Sequence, residues 1–246
     1  MFEATKTRRL RSTAFYDKYF SGSVLDIGSG ADLVVSHAQP FEKEHGDANL
    51  ITNFLPIGNS FDCVHSYHCL EHMRNVPDAL MQWWSLVKPG GHLIIAVPHE
   101  DLYEQGVWPS IFNPDHKATF RLRTRETWSP VSYNLEELLS HLPGAEIVEI
   151  GLEDDSYEYA LKRCGMTRLG SMVVLGRRAR KAIAQRIRIN SSQQGRLMEK
   201  LEYALEKIEY RLGVPIDQTL NGALAQIQAI VRKRTIASRG TAAAVR

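Results

Sequence analysis

The segment SVLDIGSG, residues 23–30, constrains the fold of this chain more than any other stretch. A short apolar run leads into a turn in which glycine alternates with serine, and this is typical of a buried strand that ends in a tight turn. Glycine has no Cβ, so Gly28 and Gly30 let backbone N–H groups approach a ligand. Leu33 stands where a dinucleotide site needs its third glycine, which disfavours a pyrophosphate. Asp26 adds an acidic group suited to an ammonium or a sulfonium.

The segments that follow the glycine turn alternate between strand and helix. Strands are predicted over 61–68 and 90–98, with a helix between them that has Pro77 in its first turn. A helix over 7–20 precedes this unit, and a helix over 134–142 and a strand over 145–151 follow it. We therefore predict an α/β fold with a Rossmann-like, doubly wound, mostly parallel sheet and ligands at the carboxyl ends of the strands.

Charge divides the chain into two parts. Hydrophobic residues make up 43% of the sequence and charged residues 24%, which is ordinary for a folded globular protein. Residues 1–176 carry 15 Lys and Arg against 23 Asp and Glu, whereas residues 177–246 carry 15 against 5. We expect a domain over 1–176 and a basic, largely helical C-terminal extension over 177–246. Either 171–178 or 224–234 would return a strand to the sheet beside 145–151.

The basic extension suggests partners. Six Lys and Arg within 177–188 accompany apolar residues, a pattern that favours an anionic membrane surface over nucleic acid as a partner, while solubility alone is an equally good explanation. An apolar stripe over 197–212 either packs on the domain or forms a homodimer. We find neither a membrane-spanning segment nor a signal peptide, and three cysteines without a C-x-x-C pair suit reduced thiols. These features predict a cytoplasmic protein, peripheral to the inner face of the membrane if the extension binds lipid.

Four segments in this order resemble class I S-adenosylmethionine-dependent methyltransferases, and specifically the methyltransferase type 11 group: VLDIGSG, GDAN at 46–49, FDCVHSYHCLEH at 61–72 and LVKPGGHLIIAVP at 86–98. The resemblance implies S-adenosyl-L-methionine as cofactor. It further implies that Gly28 and Gly30 line the methionine part, that Asp26 meets its amino group and that Asp47 and Ala48 lie by the adenine.

By the same resemblance, Glu42 is the residue expected to bind the ribose hydroxyls. It lies only twelve positions after Gly30, and Pro40 falls between them, so the preceding strand is expected to be very short. The alternative for Glu42 is a solvated surface charge.

Three histidines are candidate catalytic residues because imidazole is the base best matched to neutral pH. His68 and His99 follow two predicted strands, and His116 lies in a long aromatic loop over 99–130. Tyr67 and Tyr103 are secondary candidates, and His72 is expected to pack on or cap the following helix.

Residues 68–72 also match the sequence signature of a class of zinc hydrolases. His68, Glu71 and His72 form H-x-x-E-H, in which two histidines one helical turn apart bind zinc and the glutamate acts as base. That chemistry needs a long helix and a third ligand, whereas this pentapeptide follows a strand. We therefore predict no metal.

The aromatic loop suggests the acceptor. Tyr103, Trp108 and Trp128 are suited to stacking on a sugar ring, and the loop has a weaker resemblance to methyltransferases of bacterial surface-polysaccharide assembly. The sequence favours O-methylation of a sugar hydroxyl or a terminal phosphate on a glycan or glycolipid. The alternatives are O-, N- or C-methylation of a small metabolite and a non-catalytic cofactor-binding interaction module.

Overall fold

The computed structural model describes residues 3–55, 61–176 and 207–235. Its main feature is a six-stranded sheet in the order β2-β1-β3-β4-β8-β7. The strands of this sheet are β1 Val24–Ile27, β2 Gln39–Phe41, β3 Phe61–Tyr67, β4 Val87–Pro98, β7 Ala145–Glu153 and β8 Gln226–Lys233. A separate parallel pair consists of β5 Thr119–Arg121 and β6 Ser132–Asn134.

The helices are α1 Glu3–Arg8, α2 Thr13–Tyr19, α3 Val76–Ser85 and α4 Leu135–Ser140. Short helical segments occur at Ala48–Asn53, which is kinked at Leu50, and at Leu70–His72, Glu100–Glu104, Tyr159–Leu161 and Gln218–Asn221. Residues 168–176 and 207–211 are also helical.

Strand direction confirms the predicted sheet. Strands β2, β1, β3 and β4 pair in parallel, and β8 lies antiparallel between β4 and β7. All four residues of β1 are buried, as expected for a strand covered on both faces. Because parallel strands all end at the same edge, the turn after β1 comes next to the ends of β3 and β4, where ligands are expected.

Helix α3 supports one wall of this edge. Its side chains Trp83 and Trp84 are buried against the sheet, and Asn75 caps its N-terminus by accepting from Asp78 N. The indole Nε1 of Trp83 donates to the Ala48 carbonyl at 2.9 Å, and that of Trp84 donates to Pro143 O. These bonds satisfy the buried indoles and fix the segment around Ala48 to the core.

The predicted single N-terminal helix is wrong, because the structure divides it into α1 and α2. Ser12 begins α2 as its N-cap by accepting from Phe15 N, and a turn precedes it. Helix α1 lies at the carboxyl edge of the sheet. There Thr5 Oγ1 donates to Asp32 Oδ1, after β1, at 2.7 Å, and Lys6 Nζ donates to Thr219 O, before β8, at 3.1 Å.

The C-terminal part supplies a central strand of the sheet. Strand β8 falls within 224–234 and pairs with β7, whereas 168–176 is helical, so the first of the two predicted partner segments is excluded. The basic segment 177–188 and most of the 197–212 stripe lie outside the described residues. Of that stripe, Ile208 and Leu212 are exposed. Within the described ranges, no helix combines the length and apolar character needed to cross a membrane.

Candidate active site

Two neighbouring cavities open at the carboxyl edge of the sheet. The first, of about 230 Å³, is lined by the glycine turn and by residues that follow β3, β4 and the Gln218–Asn221 turn. The second, of about 770 Å³, extends from the end of β2 to the Arg74 region. They share Gly28, His68, His72 and Asn113, and together they form one elongated site.

The glycine turn needs glycine for its backbone. Gly28 has φ of 75° and Gly30 has φ of 59°, in the left-handed region that L side chains disfavour. A Cβ on Gly28 would also lie 2.8 Å from the Cβ and Sγ atoms of Cys69. The turn therefore presents bare backbone to both cavities, as predicted for close approach of a ligand.

Asp26, in β1, stabilises this turn through hydrogen bonds. One carboxylate oxygen accepts from Val34 N at 2.8 Å, and the other lies 2.6 Å from His65 Nδ1. Asp26 lines the first cavity, but both of its oxygens have protein partners. Its contact with a cofactor amino group stays a prediction, and no local sequence pattern indicates its pairing with His65.

The predicted cofactor residues Glu42, Asp47 and Ala48 all line the second cavity. The short second strand exists, and Glu42 follows it directly, accepting from Ser29 Oγ at 2.9 Å and from Gly30 N at 2.8 Å. The Asp47 side chain accepts from Asn49, and these hydrogen bonds, together with Arg74, hold its pKa below the ordinary value. Glu42 is therefore no freely solvated charge.

His116 is the candidate base with the most distinctive surroundings. It is buried, lines the first cavity, and its Nδ1 lies 2.6 Å from Glu104 Oε1. A carboxylate only accepts, so Nδ1 carries a hydrogen, and in the neutral form of the ring the lone pair lies on Nε2. The backbone N–H groups of Lys117 and Ala118 donate to Glu71 O, and these bonds fix the loop that carries His116.

Glu71 lies opposite the Nε2 atom of His116. Its side chain is 1% exposed, and its Oε1 is 3.9 Å from His116 Nε2 and 3.4 Å from His68 Nδ1. The contact with His68 Nδ1 is long, and no described residue makes a closer hydrogen bond to either carboxylate oxygen. Burial favours the neutral acid, but the neighbouring His68, His116 and His72 outweigh it and lower the pKa of Glu71. The Glu71 carboxylate is thus negatively charged and is surrounded by His68, His72 and His116.

His68 lines both cavities, yet its nitrogens face acceptors. Gln226 Nε2 donates to Glu153 at 2.6 Å, which turns the Gln226 oxygen toward His68 Nε2 at 2.7 Å. Nε2 must therefore donate, while Nδ1 faces the Glu71 carboxylate. This arrangement suits a positioning role better than that of a base.

His99 follows β4 as predicted but lies away from the two cavities, and His72 has contacts other than the predicted helix cap. The Nδ1 atom of His99 accepts from Asp101 N at 3.1 Å and caps the Glu100–Glu104 turn, and burial lowers the pKa of His99. His72 does not cap α3, because Asn75 does so. Its Nδ1 lies 3.1 Å from Asp115 Oδ2, and its ring centroid lies 5.0 Å from that of His116.

The comparison with protein families decides the broader assignment. A family model described as a methyltransferase domain matches residues 4–150, which is more than half of the chain. The chain belongs to this methyltransferase family. The fold is the class I methyltransferase fold, and its methyl donor is S-adenosyl-L-methionine. The narrower type 11 assignment and the likeness to polysaccharide methyltransferases stay predictions.

Solved structures resemble this methyltransferase only distantly. The Bacillus halodurans protein BH2331 is 12% identical, with 95% of this chain and 99% of that chain covered and a TM-score of 0.46. A SAM-dependent methyltransferase from Archaeoglobus fulgidus is 16% identical, with 95% of each chain covered and a TM-score of 0.44. No curated protein matches the chain.

The two cavities fit the methyl donor. When bound, S-adenosyl-L-methionine supplies an electrophilic methyl group on a sulfonium. The bare turn at Gly28 and Gly30 would hold its methionine part, and the Glu42 carboxylate would accept from the ribose hydroxyls. Asp47 and Ala48 also line the second cavity and would lie by the adenine.

The aromatic loop of the methyltransferase contributes less than predicted. Tyr103, Asn113 and His116 line the first cavity, but Trp108 and Trp128 line neither. Trp128 Nε1 instead donates to Asp101 Oδ1 at 2.9 Å. Tyr67 does line the first cavity, and its hydroxyl donates to Gln228 Oε1 at 2.5 Å.

Proposed function

We propose that this methyltransferase methylates a hydroxyl oxygen of a sugar or similar polyol, with His116 as the base. The observation that carries this proposal is the 2.6 Å contact between His116 Nδ1 and Glu104 Oε1 at the wall of the first cavity. It leaves Nε2 as the proton-accepting atom of a buried ring beside the glycine turn.

The pair has the parts that base catalysis needs. His116 Nε2 takes the hydroxyl proton of the acceptor, and the Glu104 carboxylate stabilises the imidazolium that results. Glu104 also fixes the tautomer and the orientation of the ring, whereas neither is fixed in a solvent-exposed histidine. A base placed in this way contributes roughly 10²–10⁴-fold to the rate.

The lining of the first cavity favours a neutral acceptor. Its described lining residues include no Lys or Arg, whereas an acceptor phosphate would need cationic partners. The ring of Tyr103 supplies an apolar surface for the C–H face of a sugar, and Asn113 supplies amide hydrogen-bonding groups. The Tyr67 ring, in contrast, already contacts Arg11 and His65. These features support the sugar hydroxyl over the terminal phosphate.

The size of the first cavity limits what enters it. About 230 Å³ lies below the roughly 300–1,000 Å³ of common ligand pockets, and part of it adjoins the cofactor turn. We expect one terminal ring to enter while the rest of a glycan or glycolipid stays outside.

The test is methyl transfer from labelled S-adenosylmethionine to a panel of free sugars, glycosides and their phosphate esters. We expect transfer to an unphosphorylated hydroxyl, and a loss of roughly 10²-fold or more in kcat for His116→Gln with cofactor binding retained. Cofactor binding without turnover on the whole panel would argue for the non-catalytic module. Transfer to nitrogen or carbon acceptors would favour the small-metabolite alternative.

A further inference from the structure

We propose that Glu71, His72 and His116 form a binding site for a divalent transition-metal ion, with zinc as the best match. One potential ligand atom from each of the three residues lies within 4.8 Å of those of the other two. Two imidazoles and one carboxylate are a recognised zinc ligand set that leaves a fourth position for water or substrate. Nitrogen ligands favour zinc over magnesium or calcium.

The Glu71 carboxylate is the first reason to expect a cation. Its side chain is 1% exposed, and neither oxygen has a well-formed hydrogen bond from the described residues. The nearest histidine nitrogens lie 3.4 Å (His68 Nδ1) and 3.9 Å (His116 Nε2) from Oε1, and a buried carboxylate with contacts this long is costly. A coordinated cation would stabilise it. The 3.9 Å separation between Glu71 Oε1 and His116 Nε2 exceeds by about 0.5 Å the ligand spacing around tetrahedral zinc with bonds of about 2.0–2.1 Å. A small side-chain shift would close that gap.

The Glu104 carboxylate is the second and independent reason. Histidines that bind metals usually donate their other ring N–H to a carboxylate or carbonyl, which fixes the tautomer that exposes the lone pair. His116 Nδ1 and Glu104 Oε1 make this contact at 2.6 Å, and the lone pair on Nε2 faces Glu71. Both carboxylates and the His116 ring are buried.

The ligand set differs from the one in the sequence motif. In H-x-x-E-H, His68 and His72 would bind the metal and Glu71 would be the base. The structure has only a single turn at Leu70–His72, and Gln226 holds His68 Nε2. Glu71 becomes a ligand instead, and His116 replaces His68. The motif therefore contributes two of the three ligands, without the long helix of a zinc hydrolase.

Occupancy of this site has a consequence for activity, which rests on the proposed function. A metal ion bound to His116 Nε2 occupies the lone pair that would otherwise take the proton from the hydroxyl of the methyl acceptor. We therefore expect zinc to inhibit methyl transfer, and a chelator to restore it.

Isothermal titration of the untagged protein with Zn²⁺ tests the site directly. The background variant is Cys164→Ser, because this thiol is exposed and would bind zinc by itself. We expect one equivalent to bind, with affinity at least 10-fold weaker in His72→Gln, His116→Gln and Glu71→Gln. The matched control is His141→Gln, which removes an exposed histidine at the end of α4 and should bind as the background does.

His72 is half-buried, so its replacement is the least disruptive to folding of the three. Circular dichroism would verify that all three variants are folded. Visible absorption of the Co²⁺ complex reports coordination by nitrogen and oxygen without reference to activity. Equal zinc binding in His72→Gln and the background, or no binding by wild type at 100-fold excess metal, would overturn the proposal. If the protein binds zinc but shows no methyl transfer in metal-free buffer, the result supports the metal site and counts against the proposed function.

Discussion

The Glu104 carboxylate and the His116 imidazole meet at 2.6 Å, although Glu104 lies in the turn after β4 and His116 in the loop before β5. Both side chains are buried, so water does not weaken the interaction. A carboxylate behind a histidine sets which ring nitrogen faces the cavity. This relationship makes His116, and not His68 or His99, the base in our proposal.

Replacement of Glu104 should lower kcat while the cofactor still binds. In Glu104→Gln the amide can donate to Nδ1, which would place the hydrogen on Nε2 and remove the lone pair from the cavity. We expect kcat to fall roughly 10²-fold with KM changed less than threefold. Glu104→Asp keeps the charge and should recover part of the loss. Equal kcat values for wild type and Glu104→Gln would refute the positioning role.

Replacement of His99 should leave methyl transfer nearly intact. Its Nδ1 caps the Glu100–Glu104 turn, and asparagine is a good residue for that position. We expect His99→Asn to keep kcat within about threefold of wild type, in contrast to His116→Gln, in the same labelled-cofactor assay. A loss of 10²-fold in His99→Asn would return this residue to the candidate bases.

The sequence predicted the strands and the cofactor turn well because local signals determine both. Alternating strands and helices, and glycines at the end of β1, specify the sheet edge without reference to distant contacts. The proposed catalytic cluster depends on contacts between residues that are distant in the chain. His68 is held by Gln226, which follows it by 158 positions, and nothing local in the sequence specifies that contact. Glu104 and Glu71 were missed as partners because a charged residue in an irregular loop carries no periodic signal.

Two glycine substitutions in the cofactor turn should differ in their effect on stability. Gly28 and Gly30 both have positive φ, so alanine at either costs about 1–2 kcal/mol of backbone strain. Only at Gly28 does the new Cβ also meet Cys69, at 2.8 Å, whereas Gly30 has open space. We expect Gly28→Ala to lower the urea midpoint of the cofactor-free protein more than Gly30→Ala does. Equal midpoints would show that the Cys69 contact relaxes freely.

Neutralising Glu42 should weaken cofactor binding. Its carboxylate lies at the second cavity and accepts from Gly30 N, so Glu42→Gln alters both the turn and the predicted ribose contact. A hydrogen bond to a charged group contributes about 1.5–3 kcal/mol, which predicts a rise of roughly 10-fold or more in the Kd for S-adenosylmethionine by calorimetry. The control is the exposed Glu44, whose Glu44→Gln variant should bind as wild type does. Matching affinities for all three proteins would exclude Glu42 from the site.

Asp62 should make stability depend on pH in the acid range. Hydrogen bonds from Ser23 and Lys88 lower the pKa of Asp62 to about 2, against about 3.9 in an unfolded chain. Because the folded-state pKa is the lower one, the carboxylate stabilises the fold above pH 4, and this stabilisation is lost as pH falls toward 2. The side chain is 47% exposed, so solvent screening reduces the effect to below about 1 kcal/mol. Urea titrations should show Asp62→Asn less stable than wild type at pH 7, with the difference shrinking between pH 4 and 2; a difference that stays constant with pH would contradict the assignment.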